Sequence, residues 1–166
     1  RAVSKYLHPG NYKVKELHDR DGTYWEYDVK AEQNAAVTAG QDTTVTYTNT
    51  QYGLLQIVKT MADGTSPAGW VFRVTDSTGQ EVPGSPFTTG EDGVILSGKL
   101  APGTYTVEEI IPEDSLYFCD SENPQTVVVT AGATASVSFT NALRPGKIAI
   151  QKVDPLGNPL SGAVFL

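Results

Sequence analysis

Apolar and polar residues alternate with a period of two through much of this chain. Leu55, Ile57 and Lys59 share one side of their segment, as do Trp70, Phe72 and Val74, then Tyr105, Val107 and Glu109, then Val137, Phe139 and Asn141. That period marks strands with one face in a core. Turn-forming clusters separate the runs: Asp63-Gly64, Ser77-Thr78-Gly79, Glu91-Asp92-Gly93, Ala101-Pro102-Gly103 and Ala131-Gly132. No segment carries an apolar repeat of helical period. The pattern predicts an all-β fold built as an antiparallel β-sandwich of the immunoglobulin-like kind.

Laid over itself, the chain repeats. Leu7-His8-Pro9-Gly10-Asn11-Tyr12-Lys13-Val14-Lys15-Glu16 matches Leu100-Ala101-Pro102-Gly103-Thr104-Tyr105-Thr106-Val107-Glu108-Glu109 at an offset of 105 − 12 = 93. Val37-Thr38-Ala39-Gly40 and Val45-Thr46-Tyr47-Thr48-Asn49 match Val129-Thr130-Ala131-Gly132 and Val137-Ser138-Phe139-Thr140-Asn141 at 141 − 49 = 92, one residue having been lost between. Leu55-Gln56-Ile57-Val58-Lys59 matches Ile148-Ala149-Ile150-Gln151-Lys152, again at 152 − 59 = 93. The matches predict a tandem array. Residues 1–50 are the C-terminal part of one repeat, 51–143 a complete repeat, and 144–166 the N-terminal part of a third. The chain starts at Arg1 and stops at Leu166 inside an apolar run, so both ends are expected to lie within a longer protein. The link from Asn141 to Lys147 is short and contains Pro145, which predicts a stiff joint between neighbours.

Composition narrows the function. The net charge is −7 with no basic run, which argues against nucleic acid and against electrostatic docking on anionic lipid. Cys119 is the only cysteine, so no intrachain disulfide can staple the fold, and it reads as a partly buried small side chain. No signal peptide, sorting motif or membrane-spanning run is visible.

The alternation puts Lys59, Glu109 and Asn141 on the apolar side of their strands. Burying an unpaired charge costs several kcal/mol, so three such residues facing one core call for a common explanation. Chemistry offers one. An apolar site lowers the pKa of a lysine and leaves some of it as the nucleophilic amine, while a glutamate beside it is pushed toward its protonated form. That acid would donate a hydrogen bond to the asparagine oxygen and polarise its carbonyl carbon. Amine attack with loss of ammonia would leave a Lys–Asn isopeptide bond, made once and not turned over. The plainer alternative is a lysine that snorkels to solvent and a glutamate that accepts backbone hydrogen bonds.

Gly103-Thr104-Tyr105-Thr106-Val107-Glu108-Glu109 resembles the G-x-Y-x-[LV]-x-E signature of Cna protein B-type domains, the stalk repeats of Gram-positive cell-wall adhesins and pilins. Gly69-Trp70-Val71-Phe72 resembles that family's second strand and Phe139-Thr140-Asn141 its terminal F-x-N, while Lys59 occupies the place of its first-strand lysine. The resemblance implies a prealbumin-like sandwich in which Lys59 and Asn141 are joined and Glu109 is the catalyst. Carried to the partial copies, the same positions are Glu16, Asn49 and Lys152. Glu108 is adjacent to the catalyst but points outward by parity.

The remaining candidates are weaker. His8 and His18 flank a strand without further ligands, and Asp19, Asp21 and Asp28 lack the spacing of a calcium loop. No metal or cofactor is expected. Tyr24, Trp25 and Tyr27 form an aromatic cluster suited to sheet surface or interdomain packing, or to a ligand. The leading expectation is a non-enzymatic structural stalk of a Gram-positive cell-surface adhesin or pilus-like fibre, extracellular and attached to the cell wall. Its partners are neighbouring repeats of the same protein, including head-to-tail contacts in trans. The alternatives are a binding module that recognises a host protein or glycan, and an accessory sandwich of a secreted enzyme. Duplication favours the stalk, because a spacer gains length by repeating and a binding site does not.

Overall fold

The computed structural model describes residues 4–17, 22–27, 32–162 and 164. His18, Asp19, Asp21 and Asp28, weighed above as metal ligands, lie outside the described residues. Among those described there are twelve strands and no helix.

The central part is a sandwich of eight strands: β5 (Leu54–Met61), β6 (Val71–Asp76), β7 (Phe87–Thr88), β8 (Val94–Leu96), β9 (Gly103–Ile110), β10 (Tyr117–Cys119), β11 (Gln125–Val129) and β12 (Thr134–Leu143). They form two four-stranded sheets, ordered β10-β12-β5-β8 and β11-β9-β6-β7. The alternation seen in the sequence is the alternation of burial. Leu55 and Ile57 of β5, Phe72 and Val74 of β6, Val107 of β9 and Phe139 of β12 are almost wholly shielded from water. Phe72 and Phe139 meet across the layers with ring centroids 5.1 Å apart. Trp70 falls one residue before β6, and its half-buried ring packs on the edge of this core.

One pairing departs from the antiparallel expectation. β5 and β12 run parallel, with Ile57 beside Val137 and Lys59 beside Phe139, whereas the other strand pairs are antiparallel among the described residues. Period-two alternation is the same in both kinds of sheet, so the sequence pattern holds no record of direction. The cause lies at the start of β5. Gly53 lets its backbone lie against the loop before β12, where a Cβ would stand 2.4 Å from the Thr130 carbonyl oxygen. Leu54 N–H then donates to Ala133 O at 2.9 Å, so both strands leave from the same pole.

The first fifty residues reproduce pieces of this architecture. β1 (Gly10–Val14) pairs with β3 (Gln33–Val37), and β2 (Trp25–Glu26) with β4 (Thr50–Gln51). Tyr12 faces Ala35 as Tyr105 faces Val127. The Tyr12 hydroxyl donates to His8 O at 2.9 Å, and the Tyr105 hydroxyl to Ala101 O at 2.7 Å. The Gln33 side chain donates to Thr46 O at 2.6 Å, and that of Gln125 to Ser138 O at 2.7 Å. Tyr52 N–H donates to Tyr24 O at 2.7 Å just as Arg144 N–H donates to Leu116 O at 2.8 Å. After β12, residues 145–152 belong to no strand, and Asp154 closes a turn by accepting from the N–H groups of Leu156 and Asn158.

Gly93 tests how tightly the sandwich closes around β5. Its φ is +68°, and a Cβ there would meet the Lys59 carbonyl oxygen at 2.3 Å. Gly93→Ala is therefore expected to lower stability by about 2–4 kcal/mol. Gly64→Ala, at a φ of +73° but with nothing within 4 Å of the new methyl, is expected to cost only about 1 kcal/mol. Urea unfolding of the two variants checks the difference.

Candidate functional site

Lys59, Glu109 and Asn141 come from three strands and meet at the bottom of the core. β5 turns Lys59 inward and β12 does the same for Asn141, while β9 of the facing sheet supplies Glu109. The site therefore bridges the two layers. Their relative exposures are 1%, 3% and 0%, as low as those of the apolar residues around them. Lys59 Nζ lies 3.2 Å from Glu109 Oε1, and Asn141 Nδ2 donates to that same oxygen at 2.8 Å. One carboxylate oxygen thus holds both nitrogens.

The hydrogen bond runs opposite to the sequence expectation, in which Glu109 donates to the asparagine oxygen. Here the amide NH₂ donates and the carboxylate accepts. A carboxylate facing a lysine ammonium has only acceptors to offer, so the amide presents its nitrogen. Glu109 Oε2 and Asn141 Oδ1 are left buried without hydrogen-bond partners among the described residues. A network with spare acceptors inside a dry core is costly to maintain.

Electrostatics pull Lys59 two ways. Burial dominates and holds its pKa below the usual lysine range, while the Glu109 charge and hydrogen bond oppose the shift. The amine form is thereby brought closer to neutral pH than in an exposed lysine. The snorkelling alternative does not hold, because the Lys59 side chain has no exposed surface.

Three further residues shape the site. Asn123 clamps the Glu109 backbone from both sides, accepting from its N–H at 2.9 Å and donating to its C=O at 3.0 Å. Trp70 lies over Lys59, with Nζ 4.9 Å from the ring centroid, and is itself held edge-on by Tyr117 at 5.8 Å. Such a ring face attracts the ammonium and excludes water from it. Cys119 sits opposite Asn141 in the β10–β12 ladder. Burial, with Glu109 as a lesser contributor, pushes its thiol up and away from thiolate. Sequence reading placed Trp70 only as a core residue and found no role for Asn123, whose clamp spans 14 residues with no motif to mark it.

The other candidates sort as follows. Glu108 faces outward with its side chain 45% exposed and lies 3.6 Å from Arg73 Nη1. Glu16 and Asn49 are brought together: Asn49 Nδ2 donates to Glu16 Oε1 at 2.7 Å, the same contact as in the central site. Lys152 is exposed, and no hydrogen bond or ion pair joins it to either. His8 is exposed. The aromatic cluster lies at the junction with the central sandwich, where the Tyr24 hydroxyl bonds Thr134 Oγ1 at 3.0 Å and Lys99 Nζ donates to Trp25 O.

Residues 53–143 match the family described as SpaA, prealbumin-like fold domain, which is more than half of the chain. Among solved structures, the minor pilin GBS52 of Streptococcus agalactiae is similar at 18% identity and a TM-score of 0.50, covering 81% of this chain and 66% of that one. The group B streptococcus pilus 2b backbone protein is similar at 20% identity and a TM-score of 0.48, with 78% of this chain and 53% of that one covered. A double mutant of the shaft pilin SpaA from Lactobacillus rhamnosus GG is similar at 17% identity and a TM-score of 0.48, with 83% and 66% covered. The chain thus spans between about half and two thirds of these proteins, and at such identities the likeness is one of fold. No curated protein sequence matches the chain.

The site predicts its own energetics. Lys59→Ala strands the Glu109 carboxylate in the core and is expected to lower stability by at least about 3 kcal/mol. Arg73→Ala removes a half-exposed partner of Glu108 and is expected to cost less than about 1 kcal/mol. Denaturant unfolding of the two variants measures the contrast.

Proposed function

The chain belongs to the SpaA family of prealbumin-like domains, and from that premise we propose that it is a stalk segment of a pilus-like fibre or adhesin on the Gram-positive cell surface. In this reading the chain is extracellular and wall-attached, consists of tandem repeats, and turns over no substrate. Its one reaction is on itself: Lys59 and Asn141 join as an isopeptide with Glu109 as catalyst. The observation that carries this is the single Glu109 oxygen contacting both nitrogens in a buried core.

The steps follow from the contacts. The Lys59 ammonium gives a proton to Glu109, whose Oε1 lies 3.2 Å from Nζ. The freed amine attacks Cγ of Asn141. Glu109, already 2.8 Å from Nδ2, delivers the proton to that nitrogen as the Cγ–Nδ2 bond breaks. Glu109 then takes the second proton from the lysine nitrogen and passes it to the departing ammonia, so the leaving nitrogen carries away as ammonium both protons that lysine lost, and Glu109 ends as it began. Trp70 keeps water from competing. The binding-module alternative is weakened by the aromatic cluster, which is engaged at the interdomain junction instead of offered as an open face.

Intact mass tests the reaction. The folded chain is expected to be lighter than its sequence by about 17 Da per bond, one ammonia. Glu109→Ala abolishes the loss in the central repeat and Glu108→Ala preserves it; an unshifted mass in folded, unaltered protein overturns the reading. The bond would span 141 − 59 = 82 positions and, by analogy with a disulfide, add about 4–5 kcal/mol. Single-molecule stretching is expected to show no long extension from the central repeat, whereas Glu109→Ala restores one.

A further inference from the structure

Lys59 Nζ has three neighbours, and each takes one direction around the nitrogen. Glu109 Oε1 lies 3.2 Å away. The carbonyl oxygen of the next residue, Thr60, accepts from Nζ at 3.3 Å. The face of the Trp70 ring supplies the third contact, with its centroid 4.9 Å from Nζ. An ammonium has three hydrogens to place, so these contacts together fix how the group is rotated.

The indole itself is fixed from both ends. On its backbone side, Trp70 N–H donates to Thr89 Oγ1 at 3.0 Å and Thr89 N–H donates to Trp70 O at 2.9 Å. Thr89 is buried, and its hydroxyl donates to Pro67 O at 2.6 Å. On the outer side the Tyr117 ring meets the indole edge-on at 86°, and the Tyr117 hydroxyl donates to Asp63 Oδ2 at 3.0 Å. Asp63 Oδ1 accepts in turn from the Thr65 N–H at 3.1 Å and the Thr65 hydroxyl at 2.7 Å. The third copy has Ala163 at the corresponding position, so the indole belongs to this repeat and not to the repeat pattern.

We propose that Trp70 and the Thr60 carbonyl orient the lysine nucleophile, so that the lone pair exposed by proton transfer points at the Asn141 amide. This rests on the reaction proposed for Lys59, Glu109 and Asn141, and gives the indole a part beyond shielding from water. When Nζ gives a proton to Glu109 Oε1, the electron pair left behind occupies the direction of the lost N–H. Asn141 Nδ2 is bound to the same oxygen at 2.8 Å, so the pair emerges on the side where the amide lies. The two hydrogens that remain stay on the Thr60 oxygen and the indole face, since a ring face accepts an N–H as it attracts a cation. Nζ then bonds to Asn141 Cγ and the Cγ–Nδ2 bond breaks. Glu109 moves both protons lost by lysine to the departing nitrogen, which leaves as ammonium.

Without the ring face, one of those hydrogens loses its acceptor. Two unpaired acceptors belong to the groups around it, because Glu109 Oε2 and Asn141 Oδ1 are buried without hydrogen-bond partners among the described residues. An N–H that swings to either turns the lone pair away from Cγ. A misdirected nucleophile loses on the order of 10²-fold in rate when its placement is off by about 1 Å.

A short pulse of cell-free translation of the 166-residue chain gives the reaction a defined start. Intact mass of acid-quenched samples then follows the loss of about 17 Da, and limited proteolysis of the same samples reports folding. Trp70→Leu, which fills space but has no π face, is expected to slow the loss by about 10-fold or more, and Trp70→Phe by less than about 3-fold. Both variants are expected to become protease-resistant as the unaltered chain does. Trp70→Leu reacting at the unaltered rate overturns the inference. So does equal slowing in Trp70→Leu and Trp70→Phe, which would make the volume of the ring, and not its face, the property that matters. A slowing in Trp70→Leu and Trp70→Met that follows a loss of protease-resistant protein is a structural effect and overturns it as well. If the unaltered, folded chain loses no ammonia, the reaction proposed for the central site fails, and the orientation of its nucleophile falls with it.

Discussion

The parallel pairing of β5 with β12 is the constraint on which the rest of this structure depends. It sets the first and last strands of the sandwich side by side in a register that puts Lys59 next to Phe139. Because both strands turn the same parity inward, Lys59 and Asn141 enter the core on the same side, and β9 of the other sheet brings Glu109 to meet them. An antiparallel pairing of the same two strands would run one of these residues toward the far pole. The close approach at Gly53, where only hydrogen fits, is what allows the two strands to start together.

Burying this triad runs against the usual economy of a core. A lysine and a glutamate removed from water each lose several kcal/mol of solvation, and their attraction recovers it only with good geometry and full hydrogen bonding. The geometry is good, but two acceptors remain without partners. Trp70 and the Asn123 clamp reduce the loss by shielding the ammonium and fixing the carboxylate. A purely structural core would reach higher stability with apolar residues of the same volume. The arrangement makes sense when the polar groups are reactants, because formation of the proposed amide would remove the lysine charge from the core. It also fits a load-bearing stalk. Parallel terminal strands place the entry to β5 and the exit from β12 at opposite poles, so with the proposed bond in place tension would pass along β5, across that bond and out of the end of β12. The strands between would then carry none of it.

Most of the sandwich was legible in the sequence, because burial follows a period of two and the turn clusters mark where each run stops. The inward parity of Lys59, Glu109 and Asn141 was legible for the same reason, and the outward parity of Glu108 with it. Strand direction was not, since alternation is blind to it. Nor was the sense of the Asn141 hydrogen bond, which is decided by the charge facing it and not by spacing. Asn123 was invisible because a side chain that grips a backbone across a loop leaves no periodic trace. Trp70 read as another core aromatic, and only the distance from its ring to Lys59 gives it a part in the site.

The two Glu–Asn pairs make one contact in two different degrees of burial. Asn49 donates to Glu16 at 2.7 Å and Asn141 to Glu109 at 2.8 Å. The carboxylate and amide therefore make the same contact in both places, Asn141 from within β12 and Asn49 from a segment that belongs to no strand. What differs is burial. Glu16 is half-buried where Glu109 is 3% exposed, and the Lys59 pKa is lowered chiefly by its removal from water. β5 thus does more than carry Lys59: it also buries the Glu109–Asn141 pair. In the proposed reaction β5 would therefore act twice, bringing the amine of Lys59 and completing the low-dielectric core around it.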